Sequence, residues 1–370
     1  MTVASGAPDV AVIGGGIVGC SLAAFLAEAG ARVRVLERDT VAAAASGRNS
    51  GAIQHPMEAA LAGLQEATLA LYAGLDHGFA LPAGSAGVLL VADDAARVEA
   101  VREDLARRFA ELTPERLEGA ALQAAEPALA GDLAACRLRT GYPVPPAAAT
   151  RAFAARARAA GAAIEEGRAA APWTRDGVAA GVVAGGERIA AGAVVVAAGP
   201  WTPEAIDPSG SWRPIAPVWG VTVALRLPAA PHAVVEEAGV EDLVASGGPP
   251  AVFSLVTAGG VSTLGSTFLA EAPDPAALAP LLHEHGTRFV PALRSAALGA
   301  PRACARPVSR DGLPLLGPVP GRERLFVAAG HGPWGISAGP GSARLVADAV
   351  LGAPAAIPPE LAAGRFGAPA

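Results

Sequence analysis

Residues 9–19 read Asp9-Val10-Ala11-Val12-Ile13-Gly14-Gly15-Gly16-Ile17-Val18-Gly19. The apolar run before the glycines does not alternate, which is the pattern of a strand buried on both faces. Gly14, Gly16 and Gly19 fit G-x-G-x-x-G. The first glycine permits a tight turn, the second lets a pyrophosphate approach the backbone, and the third lets helix and strand pack closely. A helix is expected over Cys20–Ala29, stopped by Gly30, and a second strand over Ala31–Glu37. The helix start offers free N–H groups and a positive dipole end to phosphates. Glu37, closing the second strand, is placed to accept ribose hydroxyls. By itself the motif serves FAD and NAD equally.

This reading also disposes of a membrane span. Val10–Ala27 carries no charge and is long enough to suggest one, but its glycine spacing assigns it to strand, turn and helix. No other segment looks membrane-spanning.

Outward from this unit, residues 58–80 and 93–110 read as amphipathic helices. Ala147–Ala160 reads as a helix entered through Pro145-Pro146, and Val194–Gly199 as a short buried strand with a glycine stop. Residues 213–227 and 251–268, rich in Val, Thr and Leu, read as antiparallel strands. Leu325–Ala328 is one more strand and Ser342–Leu351 the last long helix. The βαβ pieces lie at the start, middle and end of the chain. The expected fold is therefore α/β plus α+β. A discontinuous Rossmann-like nucleotide domain (1–80, 141–207 and 306–370) would carry an inserted antiparallel-sheet substrate domain (81–140 and 208–305). The Pro/Ala-rich tail after Gly352 is the nearest thing to a linker.

Composition narrows the function. The 370 residues are 52% apolar and 17% charged, with net charge -6. That supports a large core, and the lack of a basic block argues against nucleic acid and anionic membranes as partners. Cys20, Cys136 and Cys304 form no C-x-x-C pair and no disulfide framework, which fits a reducing cytoplasm. The N-terminus shows no basic region before an apolar stretch and so no signal peptide. His283 and His285 flank Glu284 without a further ligand at metal spacing, so they read as a solvated helix face and no metal site is expected.

Five motifs then fall in one order: VAVIGGGIVG with LERD, ASGRNSG (45–51), VVVAAGPWT (194–202), RPVSRDGLPLLG (306–317) and AAGHGPWGISAGPGSARLVADAVLG (328–352). Together they resemble, nearly end to end, the FAD-dependent D-amino-acid oxidase superfamily, which includes glycine oxidase, sarcosine oxidase and D-amino-acid dehydrogenase. The resemblance implies an FAD enzyme that oxidises an amino acid or N-substituted glycine by hydride transfer to flavin. The imine would then hydrolyse to glyoxylate or a keto acid plus an amine. It implies that Gly14, Gly16, Gly19 and Glu37 hold the ADP half of FAD, with Ile17, Val18 and Arg38 beside them. Ser46, Arg48, Asn49 and Ser50 would lie near ring and pyrophosphate. Ala169, Ala198, Gly199 and Trp201 would border the cofactor. Gly330, His331, Gly332, Gly335, Ile336 and Ser337 would follow the isoalloxazine edge.

The same resemblance makes Arg306 the partner of the substrate carboxylate, which a planar guanidinium engages with two prongs; it counts as a cofactor neighbour too. The alternative is an ion pair with Asp311. His331 is read as tuning the flavin or handling a proton, against a packed structural histidine, and His55 as facing the active site. FAD is expected to be non-covalent, with a bond to Cys304 as the alternative, since sarcosine oxidase-like members carry a flavin-linked cysteine at that offset. Trp334 stands where sarcosine oxidases place a lysine, Leu269 where a Glu is common, and the inserted sheet lacks an aromatic-Pro-Arg run. These departures predict a pocket short of polar anchors, and hence a substrate with a sizeable apolar part. Oxygen or another electron acceptor, and the oligomeric state, stay open. The rival readings are a dehydrogenase of amino or hydroxy acids feeding a quinone or partner subunit, a non-catalytic flavoprotein subunit, and a pyridine-nucleotide dehydrogenase.

Overall fold

The computed structural model describes residues 8–239, 251–353 and 357–369. The N-terminal residues 1–7, read above for a signal peptide, and 354–356 of the tail lie outside the described residues. A six-stranded sheet takes, in spatial order, Leu315–Pro318, Leu325–Ala329, Ala193–Val196, Val10–Ile13, Val33–Leu36 and Ala163–Glu165. Its pairs are parallel except the edge pair Leu315–Pro318 with Leu325–Ala329. Strand Val10–Ile13 lies at its centre, buried throughout. The following helix runs Ile17–Glu28, starting three residues earlier than its sequence suggested. Gly16 turns the chain and the helix begins at once, because eleven consecutive residues from Ile17 to Ala27 find burial. Each large apolar side chain so buried contributes about 1.5–3 kcal/mol.

The last helix also departs from expectation. It spans Gly335–Val350 and includes Pro340, so it starts seven residues before Ser342. The glycines and proline of GISAGPG disfavour a helix. Pro340 has no N–H, which strands the Ile336 carbonyl one turn back. The buried Tyr72 hydroxyl donates to that carbonyl at 2.7 Å and makes the helix acceptable.

An eight-stranded sheet is ordered Leu298–Ser309, Ile215–Leu225, Val261–Gly265, Ser254–Ala258, Val234–Glu237, Val88–Ala92, Ala134–Leu138 and Glu115–Glu118. It is not wholly antiparallel, since Val234–Glu237 and Val88–Ala92 run parallel. Strand Leu298–Ser309 continues through position 306, where a domain boundary was expected. Helix Pro275–Gly286 covers one face through Leu282, against Val235, Leu255 and Leu264. The period of two along each strand turns Leu90, Glu236, Ser254 and Thr222 to the other face, toward the cavity. His283 and His285 are not a solvated face. They are half-buried, His283 Nε2 lying 2.7 Å from the Leu293 carbonyl and His285 Nε2 2.7 Å from Glu237 Oε2. The tail is not a linker either: Arg365 pairs with Asp311, and Trp212 Nε1 donates to the Gly367 carbonyl.

Candidate active site

One cavity of about 400 Å³ runs from the glycine turn to the face of the eight-stranded sheet. At the turn, Gly14 has φ +113°, and a Cβ there would collide with the Ala197 carbonyl; one at Gly19 would collide with the Gly14 carbonyl. Positions 14 and 19 are thus closed against any side chain. Glu37 fixes it from the next strand, accepting from the Gly15 N–H at 2.6 Å and the Asp39 N–H at 2.8 Å. The Ser46 hydroxyl accepts from the Ile17 N–H at 2.9 Å. Arg38 stacks over Trp201, 4.3 Å from its ring centre.

Gly14, Gly16, Ile17, Val18, Glu37 and Arg38 all line the cavity. So do Ser46, Arg48, Asn49 and Ser50, and Ala169, Ala198, Gly199 and Trp201. Arg306, His331, Gly332, Gly335 and Ile336 line its other end. Four residues read as site residues do not. Gly19 packs behind the turn, and Gly330 approaches Leu315 and Ile215. Ser337 is buried, its hydroxyl accepting from the Gln54 N–H. His55 turns away and meets Phe109 at 5.2 Å between ring centres, with Nε2 3.9 Å from Glu111 Oε1. The cause is again the period of two. Ala52 and Gln54 face the cavity, so Ile53 and His55 cannot.

Arg306 is the central polar group. Its Nη1 donates to the Thr267 carbonyl at 2.9 Å, its Nη2 to Ser266 Oγ at 2.6 Å, and its guanidinium lies 4.4 Å from the Phe268 ring centre. Asp311 is engaged by Arg365 instead, which removes the ion-pair alternative. The guanidinium crosses strand Ile215–Leu225 at Gly220, where a Cβ would come within 2.5 Å of both terminal nitrogens. Burial holds its pKa below the usual arginine value. Arg48 and Arg302 flank Cys304, with Arg48 Nη1 on the Ala303 carbonyl and Arg302 Nε on Thr222 Oγ1. Among the described residues none of these three arginines pairs with a carboxylate. Arg306 is a buried cation without a counter-charge, which is costly, so its end of the cavity favours an anion.

Burial pushes the Cys304 thiol up, and its Sγ lies 3.8 Å from the Arg48 carbonyl. His331 is fully buried, its Nε2 without a hydrogen-bond partner, and burial brings its pKa down to about 4. It is neutral at pH 7, and its ring faces the cavity.

The pocket is not short of polar groups, contrary to the expectation from the missing lysine and glutamate. Gln54, Glu58, Glu236, Ser254 and Ser266 line it. Gln54 Nε2 donates to Glu236 at 3.3 Å, and burial raises the pKa of Glu58. Gly220, Phe268 and these acids were not picked out from the sequence. The one available signal was the doubled acid in Val234-Val235-Glu236-Glu237, an odd ending for an apolar strand.

The sequence profile of the family described as FAD dependent oxidoreductase matches residues 9–349. The chain belongs to this family. It is 30% identical to a glycine oxidase of Geobacillus kaustophilus over 92% of this chain and 92% of that one. A crystal structure of glycine oxidase from the same species superposes with a TM-score of 0.81 at 26% identity, covering 97% of this chain and 98% of that one. An iminodiacetate oxidase structure from Chelativorans sp. BNC1 shares the fold, with a TM-score of 0.81 at 23% identity over 97% and 98% of the two chains. The protein is thus FAD-dependent, and the residues present fit that cofactor. Gly14 and Gly19 admit no side chain, Glu37 stands at the cavity wall, and the cavity continues to Arg48 and Asn49. No helix among the described residues is long and apolar enough to cross a membrane.

Proposed function

We propose that the protein oxidises the carbon–nitrogen bond of an amino acid or N-substituted glycine and passes the electrons to oxygen. The observation that carries this is Arg306, a cavity-lining guanidinium whose own partners are all neutral. It calls for a small carboxylate. The likeness to a glycine oxidase supports the same reading.

Bound FAD supplies the two-electron hydride acceptor; Gly14, Gly16, Glu37, Arg38, Ser46, Arg48 and Asn49 would hold it. Everything else falls to placement. Arg306 takes the carboxylate, while Ser266, the Thr267 carbonyl and Phe268 fix the plane of the guanidinium. The amine binds neutral, because a protonated nitrogen has no lone pair to support hydride departure. The α-carbon loses a hydride, the nitrogen a proton, and water hydrolyses the released imine to glyoxylate or a keto acid plus an amine. No side-chain base is required; orientation carries the rate. His331 stays neutral and adds no charge to the cavity. The cofactor is held without a covalent bond, since Cys304 is kept as a thiol by burial. A cytoplasmic setting agrees with three cysteines of which none forms a disulfide.

Anaerobic addition of N-alkylglycines and amino acids to the yellow protein tests the reading. Bleaching of the flavin band that reverses on admitting air is expected. Bleaching without reversal replaces the oxidase by a dehydrogenase, and bleaching only by 2-hydroxy acids removes the amine substrate.

A further inference from the structure

The cavity wall away from Arg306 carries three acceptor groups. Gln54, Glu58 and Glu236 all face into it. Gln54 is only 7% exposed; its Nε2 donates to Glu236, which leaves its Oε1 buried without a donor. Glu58 Oε2 is likewise buried, facing only the Trp334 indole N–H, whose effect on the carboxyl is outweighed by burial. Carboxylates and an amide oxygen have no donors to offer one another. Gln54 Oε1 left unmatched is costly, and the two carboxylates beside it make the wall negative, so the wall favours a partner with N–H donors and positive charge.

Distance separates this wall from the anion clamp. The Arg306 guanidinium is bonded to Ser266, immediately beyond strand Val261–Gly265. Glu236 lies on Val234–Glu237, with Ser254–Ala258 between the two strands. Two strand spacings make about 10 Å. The α-amine of an amino acid adjoins its own carboxylate and falls well short of that reach.

We propose that the substrate carries a second, distal cation, an ammonium or guanidinium received by Gln54, Glu58 and Glu236. The substrate class is thus a basic amino acid or an N-(aminoalkyl)- or N-(guanidinoalkyl)glycine. This rests on Arg306 as the carboxylate anchor in the proposed function and adds the far end of the molecule. The reacting bond is unchanged.

The test is binding, so it does not depend on turnover. Perturbation of the flavin spectrum of the holoprotein is titrated with 6-aminohexanoate and with heptanoate, which differ only in a terminal ammonium against a methyl. Wild type is expected to bind 6-aminohexanoate at least about tenfold more tightly, as hydrogen bonds to a charged group imply. Glu236→Gln and Glu58→Gln should each narrow that ratio severalfold; using both guards against one variant failing to fold. Equal or tighter binding of heptanoate overturns the proposal, as does a ratio unchanged in both variants or no binding of either acid. A preserved ratio alongside failure of every amine to bleach the flavin would sink the proposed oxidation and leave the distal cation site standing.

Discussion

Replacing Gly220 by alanine puts a methyl group where the Arg306 guanidinium lies. An ideal Cβ would sit 2.5 Å from Nη1 and Nη2 and 2.6 Å from Cζ. Non-bonded heavy atoms settle near 3.5 Å, so the guanidinium must retreat by about 1 Å. It cannot do so while keeping the Thr267 carbonyl at 2.9 Å and Ser266 Oγ at 2.6 Å. The backbone itself tolerates the change, because Gly220 is in a strand and is not among the positive-φ glycines. A hydrogen bond to a charged group contributes about 1.5–3 kcal/mol, so misaligning the clamp should cost about 10- to 150-fold in kcat/KM. The assay is stopped-flow anaerobic flavin reduction against N-alkylglycine concentration, with flavin content and Tm as controls. The loss should fall mainly on half-saturation, with flavin retained. If half-saturation stays within twofold of wild type, Arg306 is not the carboxylate anchor.

Gly19→Ala should abolish flavin retention, read as the ratio of flavin to protein absorbance, because its Cβ would strike the Gly14 carbonyl; full flavin content would refute the account of the turn. Tyr72→Phe strands the Ile336 carbonyl opposite Pro340 and should cost about 1–3 kcal/mol. A thermal melt should show Tm lower by a few degrees, and an unchanged Tm would mean the helix satisfies that carbonyl otherwise. His331 titrates near 6.5 when unfolded but at about 4 in the fold. The unfolded chain therefore binds more protons between those values, and stability falls as pH drops through them, by up to about 3 kcal/mol. His331→Asn should flatten the dependence of Tm on pH across that window, and a curve as steep as wild type would refute the assignment. Acid precipitation should release all flavin into the supernatant, whereas flavin left in the pellet would mean a bond to Cys304.

The nucleotide end was legible because its constraints are local. Gly14 to Gly19 and Glu37 sit within one βαβ unit, whose turn chemistry and strand pattern are written in consecutive residues. The Pro340 helix was illegible for the opposite reason: its missing donor is replaced by Tyr72, distant in sequence, and no local rule foresees that. His55 does not reach the cavity because its ring packs on Phe109, a residue distant in sequence.

By itself, then, the sequence determined the family and the cofactor, since each is carried by contiguous motifs. Only the tertiary structure decided the character of the pocket. Glu58, Glu236, Ser266 and Gly220 come from separate segments, and sheet register, not sequence proximity, brings them to one face. Side chains on neighbouring strands meet across hydrogen-bonded spacings that the linear order of residues does not record.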